Sequence, residues 1–354
     1  MNNWTIRQIS LSARTPAQSV QQGFSLIEIM VAMAIALLLL LGLTVMFVNA
    51  SGNYRELNNA SRQLESGRFA LQTMREDLRH AGFYGYYMPD PIAAPALIDP
   101  CNITAPALQT AVRSLHVQGY NDTLPSVPPA AACLPGRLTD TDVLLVIRAS
   151  TDIHGNTDDT TGLDAGTIYI QSTYDEALVR TGANAAQFNL RLNTPDDDPA
   201  TIRRMVVHTY YVRDCNVCAP ESDGIPTLWR LELGGPAIPI AEGIEHLFLR
   251  YGVDINNDGN PDSIDTTSDG VLDLYYRQAH ELAAGDFSNI VTVEINLLAR
   301  NPEESREYTD TRSYALGGGA ANGGITLTPG GSFKRQVFSS VARIENISQR
   351  RERQ

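Results

Sequence analysis

From Leu26 to Val48 the chain reads LIEIMVAMAIALLLLLGLTVMFV, 23 residues in which Glu28 is the only ionisable side chain. A helix needs about 20 residues to cross the hydrocarbon of a bilayer, so this run is long enough to span. Lipid or other protein must cover it. A secretory signal peptide has a shorter apolar region and a small-residue cleavage site. Here the run leads into Asn49-Ala50-Ser51-Gly52-Asn53-Tyr54, which contains no A-x-A pattern. Arg7 and Arg14 are the only charges before Gly23. A positive flank without acids sets the N-terminus on the cytoplasmic side. Glu28 is the anomaly. A carboxylate at the centre of a membrane helix costs on the order of 2.5–3.5 kcal/mol on insertion scales, and such residues mark functional positions. A neighbouring cation makes it tolerable; the plain alternative is a signal anchor that carries a Glu by chance.

No proline interrupts the chain from Phe24 to Met88. One helix can therefore continue to about His80, roughly 85 Å at 1.5 Å per residue. Leu57, Leu64, Leu71 and Leu78 fall seven apart, with Ala60, Gly67, Met74 and Ala81 three after each. That is a helical stripe. A helix of this length is not stable by propensity alone, so the stripe is expected to pack on the chain's own globular part. Gly82, just past the last periodic residue, is a stop signal.

Beyond Met88 the composition changes to proline-rich connections, then to strand-like runs. Seven are predicted: from Asp142 (DVLLVIRA), Gly166 (GTIYIQ), Arg204 (RMVVHTYYVR), Thr227 (TLWRLEL), Ile244 (IEHLFLRYGVD), Asn289 (NIVTVEINLLAR) and Val337 (VFSSVARIEN). Val291, Val293, Ile295 and Leu297 alternate with Thr292, Glu294 and Asn296, the period of a half-buried strand. Strands without helices between them predict antiparallel sheet laid on the first helix, an α+β fold. The glycine-rich ALGGGAANGGITLTPGGS lacks the Gly-Lys-Ser/Thr of a phosphate loop and reads as a linker.

The side chains exclude some functions and leave others open. A formal charge of −13 argues against a nucleic-acid partner. There is no H-E-x-x-H or G-x-S-x-G, and no catalytic constellation emerges. The stretch DINNDGNPDSID, by contrast, fits the 12-residue calcium loop. Asp254, Asn256, Asp258, Asp262 and Asp265 supply oxygens, Asn260 a carbonyl, and Gly259 stands at the sixth place. The pattern recurs eleven residues on, at Asp265, Asp269, Gly270 and Asp273. A calcium site is expected here, though Asp265 replaces the usual bidentate Glu. The competing reading is a solvated turn between strands. Four cysteines remain: Cys215 and Cys218 form a C-x-x-C, and Cys101 and Cys133 flank a proline-rich segment. Redox, zinc and disulfide roles all fit these counts. Outside the membrane, where oxidation is favoured, Cys101–Cys133 and Cys215–Cys218 are the expected pairings.

GFSLIE (Gly23–Glu28) ahead of an apolar helix resembles the class III signal of type IV prepilins and pseudopilins. GRFALQTMREDLRHAGFYGYY (Gly67–Tyr87) resembles a stretch of the PilW-type minor pilins, with Arg68, Asp77, Arg79, Ala81, Gly82, Phe83 and Gly85 in matching places. Tyr86 stands where relatives often carry a cysteine. LRYGVD, VTVEINLLAR and VFSSVARIEN are similar to the end of such chains. The resemblance implies cleavage between Gly23 and Phe24 by the prepilin peptidase, methylation of Phe24, and a leader of residues 1–23. Residues 24–52 are then the transmembrane and assembly half of the helix, and 53–86 its amphipathic periplasmic half. Residues 87–354 form a β-rich pilin domain with the acidic loop at 254–273. Loss of Arg7 and Arg14 takes the side-chain charge to −13 − 2 = −15. Glu28, four residues into the mature chain, would pair with the amine of Phe24, its own or a neighbour's.

A minor pilin of this type implies a single-pass protein of the bacterial inner membrane that moves into the pilus fibre near the tip. Its partners would be other minor pilins, the major pilin and a tip adhesin, with roles in assembly, twitching motility and adhesion. Two rival readings remain: a J-type pseudopilin of type II secretion, and a membrane-anchored calcium-binding protein or enzyme.

Overall fold

The computed structural model describes residues 23–88, 95, 97–121, 133–264, 273–274, 276–319 and 323–352, with the backbone alone at Ile264, Asp273 and Leu274. The leader residues 1–22, and Asp265 and Asp269 of the acidic repeat, lie outside these. Two compact units emerge, Met1–Arg55 and Glu56–Gln354. Helix α1 (Leu26–His80) contributes to both.

In the first unit every residue from 23 to 50 is exposed. The helix there is long and apolar enough to cross a membrane. Its polar groups satisfy themselves: the Thr44 hydroxyl donates to the Leu40 carbonyl at 2.7 Å, as a hydroxyl in an apolar helix must.

The second unit is antiparallel sheet with short helices. The helices are α2 (Ala105–Ala111) and α3 (Glu345–Arg351). The first strands are β1 (Val117–Tyr120), β2 (Val143–Ala149), β3 (Gly155–Asn156), β4 (Ile168–Ser172), β5 (Ala177–Thr181), β6 (Thr201–Arg213), β7 (Thr227–Glu232) and β8 (Ala237–Glu242). They form one sheet in the order β1-β2-β6-β4-β5, with β3 also on β6, and β7 then β8 extending from it. After these come β9 (Ile244–Val253), β10 (Ser263–Ile264), β11 (Asp273–Leu274), β12 (Tyr276–Arg277), β13 (Ile290–Arg300), β14 (Tyr314–Leu316), β15 (Ile325–Leu327) and β16 (Arg335–Arg343). A second sheet runs β12-β9-β13-β16, and β10-β11 and β14-β15 are separate hairpins. Asp142 stitches the sheets together. Its amide donates to the Leu247 carbonyl at 2.9 Å, and its carboxylate accepts the Leu249 amide at 2.6 Å.

All seven predicted strands are present. The last stops at Arg343, and Glu345 opens α3, so the predicted run through Asn346 is two elements. The glycine-rich linker contains the β14–β15 hairpin. The α1 stripe is turned from its expected setting. Gly67, Met74 and Ala81 are buried, but of the leucines only Leu78 is; Leu57 is 71% exposed. Leu64 and Leu71 pack partly buried against the core, and Asn59, Gln63 and Asp77 join them in the buried face. The reason lies in the sheets, which offer polar partners. The Gln63 amide donates to the carbonyls of Ala299 and Lys334 at 2.7 and 3.1 Å. Gly67 is a steric necessity, since a Cβ there would stand 2.5 Å from the Phe338 ring of β16. Gly82, in the left-handed region at φ 71°, ends the helix as expected.

Candidate assembly interface

Ser25 precedes the first helical residue, Leu26, and Glu28 follows it by three, the spacing of a capping box. The Ser25 amide donates to Glu28 Oε2 at 3.0 Å, which satisfies one of the orphan donors of the helix start. The carboxylate also faces the positive end of the helix dipole. Phe24 is thus one residue from the group that the Glu28 side chain binds. Beyond it, the exposed row from Leu26 to Val48 is 50–76% accessible at each large apolar side chain. Area of that kind marks an interface with lipid or protein.

The second half of α1 binds through Asp77. Its carboxylate is 6% exposed and accepts from Arg148 Nε of β2 at 2.9 Å, from His208 Nδ1 of β6 at 2.7 Å and from the Tyr210 hydroxyl at 3.1 Å. Burial alone would raise this carboxyl's pKa. The hydrogen bond and charge of His208, with the charge of Arg148, outweigh it and hold Asp77 below the ordinary value. The site is an ionic lock between helix and first sheet. Sequence reasoning placed Asp77 only as a member of a pattern. Its partners are 71 to 133 residues away, so no local signal could reveal the lock. His116 was missed as well. It is buried, its Nε2 donates to the Ile290 carbonyl at 2.7 Å, and burial lowers its pKa to about 4.

Both expected disulfides form, Cys101–Cys133 and Cys215–Cys218, with Cα–Cα distances of 5.4 and 5.3 Å. Neither pair is left as thiols for redox chemistry or zinc. His208 is a buried histidine satisfied by the Asp77 carboxylate.

The acidic loop is held by its own backbone. Asp254 is fully buried; its two oxygens accept the amides of Asp258 and Gly259 at 3.2 and 3.0 Å, and Oδ2 lies 3.2 Å from Arg351. Asp258 Oδ1 accepts the Asn260 amide, and Asp262 accepts the Ile255 amide. Asn256, Asp258 and Asn260 are exposed and Asp262 is half-buried. Among the described residues no three carboxylate, imidazole or thiolate groups converge as a metal site. In this arrangement Asp254 has its charge matched by an arginine, and the described residues of the loop form no preformed cage for a divalent ion. Asp265 and Asp269, which would complete the loop and its repeat, fall outside the described residues, and Asp273 is described by its backbone alone.

Known families match at the two ends of the chain. Residues 18–44 match the prokaryotic N-terminal methylation motif, and residues 209–346 match Type IV Pilus-assembly protein W. The second match holds the whole second sheet and starts earlier than the resemblance read from the sequence. No curated protein matches. Among solved structures, the type IV-like pilin TTHA1219 from Thermus thermophilus is similar at 9% identity and a TM-score of 0.33, over 81% of this chain and 97% of that one. With the methylation motif on the exposed apolar helix and the Type IV Pilus-assembly protein W match around the second sheet, the chain is similar to the PilW-type minor pilins over those two stretches.

Proposed function

We propose that the chain is a subunit that helps prime or cap the type IV pilus, and through it serves twitching motility and adhesion, with no catalytic step of its own. The prepilin peptidase cuts between Gly23 and Phe24, and Phe24 is methylated. The domain faces the periplasm while the helix waits in the inner membrane, and other minor pilins, the major pilin and a tip adhesin are its partners. One observation supports this reading most: the apolar half of α1 is exposed across residues 23–50, a stretch that the methylation motif at 18–44 largely contains. Such a surface needs lipid before assembly and neighbouring helices after it.

Glu28 then does two jobs in sequence. Before cleavage it caps the helix at Ser25. After cleavage the new amine of Phe24, one residue away, gives it a cation.

N-terminal sequencing of the purified protein should begin at Phe24, and Gly23→Ala should keep the leader attached and the chain unassembled. A mature form that begins at any other residue contradicts the reading. Deletion of the gene should abolish surface pili. A deletion strain with normal pili and failed protein export would instead assign the chain to type II secretion.

A further inference from the structure

Helix α3 touches two distant parts of the second unit. Near its start, the Asn346 side-chain amide donates to the carbonyls of Arg79 and Ala81 at 3.3 and 3.2 Å, where α1 runs out of partners of its own. Ile347 packs so closely on the following turn that a Cβ on Gly82 would stand 2.8 Å from it. At the other end Arg351 is 5% exposed and reaches the acidic loop. Its Nη1 lies 2.8 Å from the Asp254 carbonyl and 3.2 Å from the Asp254 carboxylate. Its Nη2 donates to the Ser288 carbonyl at 3.1 Å and to Asn289 Oδ1 at 2.7 Å. Arg343 adds a bond from the same side, to the Gly259 carbonyl at 3.2 Å. Gly259, at φ 83°, lies so near α3 that a Cβ would stand 2.6 Å from the Ser348 carbonyl.

We infer that α3 is a clasp: Arg351 is the built-in counter-ion of the acidic loop, in the role a dissolved divalent cation would otherwise fill, and α3 ties that loop to the end of α1. The inference goes beyond the pilin reading and stands whichever filament the chain joins. A fully buried aspartate needs a compensating charge. The guanidinium supplies it through a rigid fork that four oxygens satisfy at once, which a flexible ammonium cannot match. The same bonds hold the carbonyl of Asp254, so the turn is fixed through backbone as well as charge. Coupling follows from length. A seven-residue helix has no stability of its own, so α3 cannot release the loop and keep the α1 cap, or the reverse. Loop and helix end are one opening unit.

The test uses the full chain in detergent micelles, read by melting and by native-state hydrogen exchange. Wild type should melt at the same temperature in millimolar calcium chloride and in chelator. Arg351→Met should lower the melting point by about 10 °C, the scale of a broken buried pair in a domain of this size. It should also cut exchange protection at least tenfold in both segments 254–262 and 79–83, with 290–300 unchanged. Asp254→Asn combined with Arg351→Met should recover part of the lost melting temperature, because no orphan charge remains. Arg351→Lys, which keeps the charge but not the fork, gives a milder paired loss and serves where Arg351→Met does not fold. A wild-type melting point that rises with calcium overturns the inference, as does opening of the loop with 79–83 still protected. Strict additivity of the two substitutions, or unchanged protection in Arg351→Lys, overturns it as well.

Discussion

The two halves of α1 are made of one continuous helix and obey opposite rules. Across residues 26–50 nearly every side chain is apolar and every one is exposed. Across residues 56–80 most of the surface is polar, yet Asn59, Gln63 and Asp77 are buried. Exposure in the first half means that its partners lie outside the chain. Burial of polar groups in the second half means that its partners lie inside and are specific. Each half has one acid that decides its behaviour. Glu28 answers only to a local amide, and Asp77 answers to three side chains on two strands.

The largest effect expected from breaking this contrast is at Asp77. Asp77→Ala strands Arg148 and His208 in the core with no carboxylate between them. Removal of one partner from a buried ionic group costs about 3–5 kcal/mol, so the full chain in micelles should melt well below wild type. Asp77→Ala with Arg148→Met should cost less than the two single losses summed. Equal and additive losses would reduce the lock to incidental contacts.

Acid should act on the second unit with a similar sign through His116. Burial holds its imidazole at about 4, against about 6.5 in an unfolded chain. The unfolded state therefore binds the proton first. Stability is fully present above pH 6.5 and is lost as the pH falls toward 4, by about 3 kcal/mol for this group. His246, also lowered by burial, adds to the same slope. Asp77 acts lower down, because its own shift matters only below the ordinary carboxylate range. Melting from pH 7 to 4.5 should show the decline, and His116→Gln should flatten it. A flat profile in wild type would deny the burial of His116.

A single substitution made in both halves sharpens the comparison further. Gly67→Ala sets a methyl against the Phe338 ring and should cost about 1–3 kcal/mol, as overpacking does. Gly42→Ala meets nothing within 4 Å and removes a flexible residue from a helix interior, so it should be neutral or stabilising by under about 1 kcal/mol. Like effects at both sites would mean that the two halves are packed alike.

Much of this was legible from the chain, and what was not has a common cause. Seven strands could be read because apolar alternation is local. Strand β8 was not, since Pro239 and the short AIPIAE run give a weak signal that an edge strand tolerates. The turn of the α1 stripe escaped because periodicity counts apolar residues only. Gln63 and Asp77 become core residues solely through groups 71 to 271 positions away. Arg351 as the partner of Asp254 is a pairing over 97 residues, which no local acidic pattern can reveal. The disulfides, by contrast, could be stated residue by residue, because four cysteines allow only three pairings.

The smallest effect on stability should come from the residue that looks strangest in the sequence. Glu28→Val deletes one bond to the Ser25 amide, a cap at an exposed helix end worth about 1 kcal/mol or less. It also removes the cost of a carboxylate in lipid. The second unit has no part in either term, so its melting should be unchanged, and cleavage after Gly23 should proceed. What should change is assembly. On the function proposed above, Glu28 is kept against its burial cost for register, because it demands a cation at one height along a neighbouring helix. Surface pili counted in a strain carrying Glu28→Val should fall sharply while the protein accumulates in the membrane. A wild-type pilus count would leave the first half of α1 as a plain anchor, and the contrast between the halves would be one of burial alone.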